Sequence, residues 1–334
     1  MPAFAATEIS IQSAACRHPG REVATADLFA EEDARSSVGI AESLGIEAVR
    51  LCEGETGSEL ALAAATEAMQ RAGVGAADLD VIVDFTILPQ ERLVPAWSMG
   101  NKLQADLGAK KAFTLGFSGG GASNFIACLT AAASLLAGDE GLDTALLVAA
   151  DVTIPGNRVL NPERPVTVLG DGASALVLRR GDGGDRLVAT RLRTEGALHD
   201  VCHIRGGAIK HPERTDLYRL VLDVERSAAA PKMEILRDIV DRLLVDAGVS
   251  LGEVGSAAYT NISAADQAAF AETLGLREPP AWGASLRRHG HIQGTDLVRN
   301  YLSTVDDLAV GEHVLLASHG MGYMYGAALV RRGS

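Results

Sequence analysis

Residues 112–120 read AFTLGFSGG: an apolar stretch, Ala112 to Phe117, runs into Ser118 and three glycines ahead of a helix expected over about Ala122 to Leu136. The glycines clear side chains from around the serine and let the backbone turn sharply. The helix start behind it offers unpaired N–H groups and the positive end of a dipole, which stabilise a developing oxyanion. This is the setting of a covalent nucleophile. The same residues also fit a plain serine N-cap in a glycine-rich turn.

A serine hydroxyl needs a base, and Arg288 to Asn300 reads RHGHIQGTDLVRN, with His291 and Asp296 close together and Gly290 and Gly294 freeing the loop. An aspartate that orients an imidazole and stabilises its charged form completes a Ser–His–Asp relay. The alternative is a surface loop with a solvated histidine and an aspartate cap before LVRNYL. Gly116 to Gly120 also matches G-x-S-x-G, the nucleophile elbow of α/β-hydrolases, and Asp296 followed by His319 satisfies their chain order. Against a hydrolase, nothing upstream of Ser118 reads as a lipase-type oxyanion loop. The remaining candidates His18, His199, His203 and His211 fit loop or surface positions.

The elements that must position these residues occur twice. Residues 60–87 (LALAAATEAMQRAGVGAADLDVIVDFTI) and 235–262 (ILRDIVDRLLVDAGVSLGEVGSAAYTNI) each predict an amphipathic helix, an Ala-Gly-Val triplet, a short linker and a strand. The glycine of each triplet suits a left-handed helix cap. Thr144 to Asp151 followed by Gly172 to Arg180 is matched by Glu312 to His319 followed by Gly326 to Arg332. Each half therefore ends in two apolar strands. The halves are expected to meet at the turn-forming Gly181 to Asp185, giving an N-terminal half, 1–182, with the nucleophile and a C-terminal half, 183–334, with the His and Asp. Strands apolar on both faces require helices on both sides, which predicts an α/β fold around one shared core.

Composition bounds the partners. The chain has 334 residues, 47% hydrophobic but only 4% aromatic, so small aliphatic residues fill the core. A net charge of −13 argues against nucleic acid and anionic membranes as partners, and makes any phosphate-bearing substrate depend on local arginines. No apolar run is expected to reach the ~18 residues that span a bilayer. The N-terminus lacks a basic segment followed by an apolar one, which predicts no signal peptide and a cytoplasmic location. The four cysteines have no metal-ligand spacing and read as reduced thiols; no metal is expected.

His18 to Leu28 (HPGREVATADL), Leu44 to Arg50 (LGIEAVR), Val168 to Leu178 (VLGDGASALVL) and Leu316 to Leu329 (LASHGMGYMYGAAL) together resemble the type III ketoacyl synthases of the thiolase superfamily over almost the whole chain. The resemblance implies a duplicated thiolase fold with a five-layered αβαβα core, and a homodimer. Relatives carry a cysteine where Ser118 stands, a histidine near Tyr259-Thr260-Asn261-Ile262, and an asparagine at His291. That His/Asn pair serves decarboxylation, so its replacement points away from condensation. The G-H-x-x-G-x-D pattern of Gly290 to Asp296 instead resembles acyltransferases and starter-unit enzymes of polyketide pathways, where a Cys or Ser, a His and an Asp form the triad.

The resemblance further implies an acyl-CoA or acyl-carrier-protein substrate and no separate cofactor. Oxyanion donors are the Ser118 N–H and the Gly320 to Gly322 turn (Gly320, Gly322). Arg164, with Arg158 as a second candidate, contacts the phosphopantetheine-bearing substrate, and Phe117 and Asn261 line the pocket. The acceptor is a carrier-protein thiol, a hydroxyl or an amine. A decarboxylating type III synthase, a serine hydrolase and a non-catalytic partner subunit of a ketosynthase are the alternatives.

Overall fold

The computed structural model describes residues 8–89, 91–92, 97–154, 156–277, 279–321 and 323–333. Nine strands form the main sheet: β1 (Ile9–Arg17), β2 (Val81–Asp84), β3 (Phe113–Gly116), β4 (Thr144–Asp151), β5 (Gly172–Arg180), β6 (Asp185–Thr194), β7 (Val254–Tyr259), β8 (His313–His319) and β9 (Met324–Arg331). Their order is β7-β8-β9-β6-β1-β5-β4-β2-β3. In the first half β2 is parallel to β4, β4 antiparallel to β5, and β5 antiparallel to β1. In the second half β7 is parallel to β8, β8 antiparallel to β9, and β9 antiparallel to β6. The two halves join through Ser10–Arg186 and Ile11–Asp185.

Six helices matter for the site: α1 (Gly57–Ala72), α2 (Asn124–Gly138), α3 (Lys232–Ala247), α4 (Ala264–Leu274), α5 (Pro280–His289) and α6 (Thr295–Val305). The repeated Ala-Gly-Val triplets end α1 and α3 alike, with Gly73 at φ +64° and Gly248 at φ +65°, a region glycine enters without Cβ strain. α1 packs its Leu60, Ala64 and Met69 on one side of the first half's strands. α3 and α4 pack Leu236, Leu243 and Phe270 against the second half. Between them α2 (Phe125, Ile126, Leu129) and α6 (Leu297, Val298, Tyr301) share a core with strands of both halves. The layers run helix, first half of the sheet, paired helices, second half of the sheet, helix: an α/β thiolase fold with a five-layered core. All eight residues of β4 are buried, as an apolar strand covered on both faces must be.

One expectation is corrected. Residues 121–138 are, by length and composition, apolar enough to cross a membrane, but 67% of that segment is buried inside the protein. α2 is apolar nearly all round because it is a central-layer helix.

Candidate active site

α5 ends at Gly290, at φ +60°. A Cβ there would lie 2.4 Å from the Val168 carbonyl oxygen, so only glycine lets the chain pass this close to the first half. His291 then bonds across: its N–H donates to Val168 O at 2.9 Å, and its carbonyl accepts from Gly170 N at 3.1 Å. Asp296 sits in the first turn of α6, where the helix dipole favours a negative charge. Its Oδ1 accepts from Ile292 N at 2.8 Å. Its Oδ2 accepts from Asn261 N at 2.9 Å and Thr260 Oγ1 at 3.3 Å, and lies 2.6 Å from His291 Nδ1. A fully buried carboxylate with these partners holds the proton on Nδ1, leaving His291 Nε2 as the atom that exchanges one.

His291 faces a narrow, mostly apolar cavity of about 70 Å³, which Leu169, Gln293, His319, Gly320, Met321 and Tyr323 also line. Here the structure adds a second histidine–carboxylate pair. His319 Nε2 lies 3.2 Å from both Asp266 oxygens, and Tyr259 Oη donates to Asp266 Oδ2 at 2.9 Å. Burial pushes the Asp266 carboxyl up, but the His319 and Lys232 charges and the two hydrogen bonds outweigh it and hold the group below the usual carboxylate range. The hydrolase pairing of Asp296 with His319 is therefore wrong: Asp296 belongs to His291. Asp266 and His319 lie 53 positions apart, and no local spacing announced them.

The serine turn is built differently. Phe117 N donates to Asp84 O at 3.0 Å as β3 ends. Asn124, opening α2, clamps the turn: Nδ2 donates to Phe117 O at 3.0 Å and Oδ1 accepts from Gly120 N at 2.9 Å. Ser118 lies exposed between these two bonds and is not among the residues lining the cavity. The far end of the turn interlocks with the cavity wall. A Cβ on Gly121 would lie 2.2 Å from Met321 N, and one on Gly320 would lie 2.4 Å from Ala122 N. Ser123 is fully buried and pinned, its Oγ 2.9 Å from both Ser318 Oγ and Met324 O, so it is a structural serine.

Among the described residues, the structure thus places His291 and Gly320 on one cavity, sets Asp296 fully buried behind His291, and leaves Ser118 on the adjoining turn. Phe117 is half-buried and packs on the central core instead of in the cavity lining. Asn261 does not line the pocket either. It is fully buried, its Nδ2 bonds Ser285 Oγ at 2.9 Å, and its Oδ1 accepts from Gln267 and Asn300, each at 2.8 Å; it supports Asp296 from behind. Arg158 is buried in a two-pronged ion pair with Asp171, so its guanidinium is spent on the fold and is not a substrate contact. Arg164 is exposed and pairs with Glu225 at 2.6 Å. Gly320 N is committed to Met324 O at 3.1 Å, which removes it as an oxyanion donor. Gly322 lies outside the described residues.

His18 lies in the loop that follows β1, as expected, and is half-buried there, its ring centroid 4.4 Å from that of His289. Asp151, at the end of β4, was also not foreseen. Burial pushes its carboxyl up to about 7, against N–H bonds from Leu88 and Ile87; the Asp84 charge adds to the rise and the His291 charge opposes it. No metal-binding cluster occurs among the described residues.

Over 343 aligned residues the chain is 31% identical to the beta-ketoacyl-[acyl-carrier-protein] synthase III of Rhodospirillum rubrum, spanning 94% of the chain and 96% of that protein. The chain belongs to the beta-ketoacyl-[acyl-carrier-protein] synthase III family. Another synthase III, from Rhizorhabdus wittichii, is 28% identical over 321 residues, with 94% and 96% coverage. Among solved structures, the acyltransferase ChlB3 superposes with a TM-score of 0.80 at 24% identity, covering 98% of each chain. The 3-oxoacyl-(acyl carrier protein) synthase III of Pseudomonas aeruginosa gives 0.80 at 21%, covering 98% and 99%. At these identities the two structures establish the shared fold. No family model matches the chain. As a synthase III family member, the protein is an acyl-transferring enzyme of the type III ketoacyl synthase kind.

Proposed function

We propose that this synthase III relative forms an acyl-serine intermediate and passes the acyl group to a carrier-protein thiol, a hydroxyl or an amine, in polyketide or related secondary metabolism. The acyl group arrives on CoA or an acyl carrier protein. Ser118 Oγ attacks the thioester carbon while His291 Nε2 takes its proton, held in place by Asp296. The C–S bond breaks, the thiolate collects the proton, and an oxyester remains on Ser118. The acceptor then reverses the exchange on the acyl carbon. The Ser118 N–H serves the oxyanion. Because Met324 O occupies Gly320 N, the second donor is another N–H of the 320–322 turn. Arg164, whose ion pair is solvent-exposed and weak, is free to exchange Glu225 for a substrate phosphate.

The observation that carries this reading is the buried His291–Asp296 pair facing a cavity whose Gly320–Met321 wall is packed on the turn after Ser118. Intact-mass measurement after incubation with a panel of acyl-CoAs tests it: a single acyl adduct is expected, absent in Ser118→Ala. An adduct that persists in that variant moves the nucleophile elsewhere; transfer without any adduct replaces the covalent step by direct attack of the acceptor.

A second reading, decarboxylative condensation, is favoured by His319, because two imidazoles facing one cavity are equipped to hold an enolate. Release of carbon dioxide from malonyl-carrier protein separates the two. We also propose a homodimer: β3 is an edge strand of the sheet with Phe113 42% exposed, an edge that pairing with a second copy would cover. The halves 1–182 and 183–334 then each bring one part of the chemistry to the site.

A further inference from the structure

On the face of α5 and α6 away from the cavity lies a second pocket, of about 660 Å³, to which Ser285, Arg287, Arg288, His289, Arg299 and Ser303 contribute. Three arginines against one acid, Glu47, line it in a protein whose net charge is −13. Arg287 reaches Glu47 at 3.7 Å; Arg288 is exposed and makes no ion pair among the described residues. Arg299 is the unusual member. It is only 8% exposed, the single hydrogen bond of its side chain is a long 3.5 Å contact from Nη1 to Ser285 Oγ, and Nε and Nη2 have no partner. Nδ1 of the neighbouring His289 is likewise buried without a partner.

A buried guanidinium without a counter-charge is costly. Among the described residues no carboxylate is paired with Arg299. The Cys16 thiol beside Arg299 is pushed up to about 12 by burial and is neutral. Asp296 acts on Arg299 only at a distance and spends its oxygens on the bonds already described. With Arg287 balanced by Glu47, Arg299 and Arg288 leave two positive charges facing one pocket, which matches a dianion better than a single carboxylate. Guanidinium forks suit phosphate geometry.

We propose that this pocket binds a phosphate group, as the free ion or as a phosphate monoester, with Arg299 as its buried ligand and Arg288 at the rim. The site is separate from the His291 cavity and needs no acyl-enzyme chemistry.

The experiment uses the full chain and measures binding by calorimetry and by thermal unfolding, with inorganic phosphate, glycerol phosphate and acetate as probes at matched ionic strength. Phosphate stabilises folded proteins generally by exclusion from their surface, so the quantity read is the difference between the parent and Arg299→Met. Saturable binding of phosphate or glycerol phosphate is expected in the parent. It should weaken by at least about tenfold in the variant, the size of one lost charge-assisted bond. Binding of both probes assigns the free ion; binding of glycerol phosphate alone assigns an esterified ligand. Undiminished binding in Arg299→Met, or no saturable binding in the parent, overturns the proposal, as does acetate binding as tightly as phosphate. If Arg299→Met fails to fold, Arg288→Ser serves instead: weaker phosphate binding upholds the site and unchanged binding overturns it.

Discussion

Two glycine-punctuated loops feed the two central helices, one before α2 and one before α6, and they are finished to different degrees. In the loop before α6, both Asp296 oxygens are engaged and His291 is held by backbone bonds on either side. In the loop before α2, Asn124 clamps the backbone, yet the Ser118 hydroxyl is exposed and makes no hydrogen bond among the described residues. The proposed base is thus held in place by the folded chain alone, whereas the proposed nucleophile is oriented only by the turn that carries it. A histidine needs a fixed tautomer and a buried partner to work; a hydroxyl needs only to be within reach when the substrate arrives.

The comparison breaks most sharply if the two loops do not act together. Ser118→Ala and His291→Ala are each expected to lower acyl transfer by roughly 10³-fold or more, and the double variant should be little worse than either, because residues acting as a unit are not additive. Additive losses in single-turnover kinetics would separate the loops into unrelated sites. Asp296→Asn should cost transfer ~10²-fold or more by releasing the His291 tautomer. It should also destabilise the fold by about 1–3 kcal/mol, because the donors that now reach its carboxylate would be poorly served; urea denaturation reads the second effect separately.

Asp151 sharpens the electrostatic side. Its carboxyl, ordinarily near 3.8, is pushed up to about 7, so between those values the folded state holds a proton that the unfolded chain releases. Its contribution to stability is therefore fully present in acid and is lost as pH rises from about 4 to about 7. Asp151→Asn should flatten that part of the stability–pH curve, an effect on the order of a few kcal/mol, measurable by denaturation at pH 5 and pH 8. Asn124→Ala should cost about 1–2 kcal/mol through two lost turn bonds and lower transfer by loosening Ser118. Unchanged kcat in a folded Asn124→Ala protein would show that the serine needs no clamp. Arg164→Ala should do least: stability within about 0.5 kcal/mol, because the ion pair is exposed, and a rise in KM for acyl-CoA without a matching fall in kcat.

Much of the architecture was legible because it is written in local pattern. The repeated Ala-Gly-Val triplets mark helix ends at Gly73 and Gly248, and the apolar runs of β4 and β5 fall where Thr144 to Asp151 and Gly172 to Arg180 predict. His291 and Asp296 are five positions apart, and one loop brings them together. What stayed hidden joins distant segments. Ser123 is pinned across 195 positions to Ser318. Asn261 reaches Asp296 across 35, and it does so through its backbone, which no residue type announces. Arg158 was misassigned because an arginine destined for a buried pair looks, in sequence, like one that greets a phosphate.

The sequence by itself determined the duplicated α/β plan, the glycine turns and the local His291–Asp296 pair, since caps, strand burial and short loops depend on neighbours along the chain. Only the tertiary structure decided which groups face the cavity and which support it from behind. It turned Asn261 and Arg158 inward, set His319 on Asp266, and buried Arg299 with no paired carboxylate among the described residues. Those choices follow from how two halves close on a shared central layer, where a side chain's partner is fixed by packing distance and not by position in the chain.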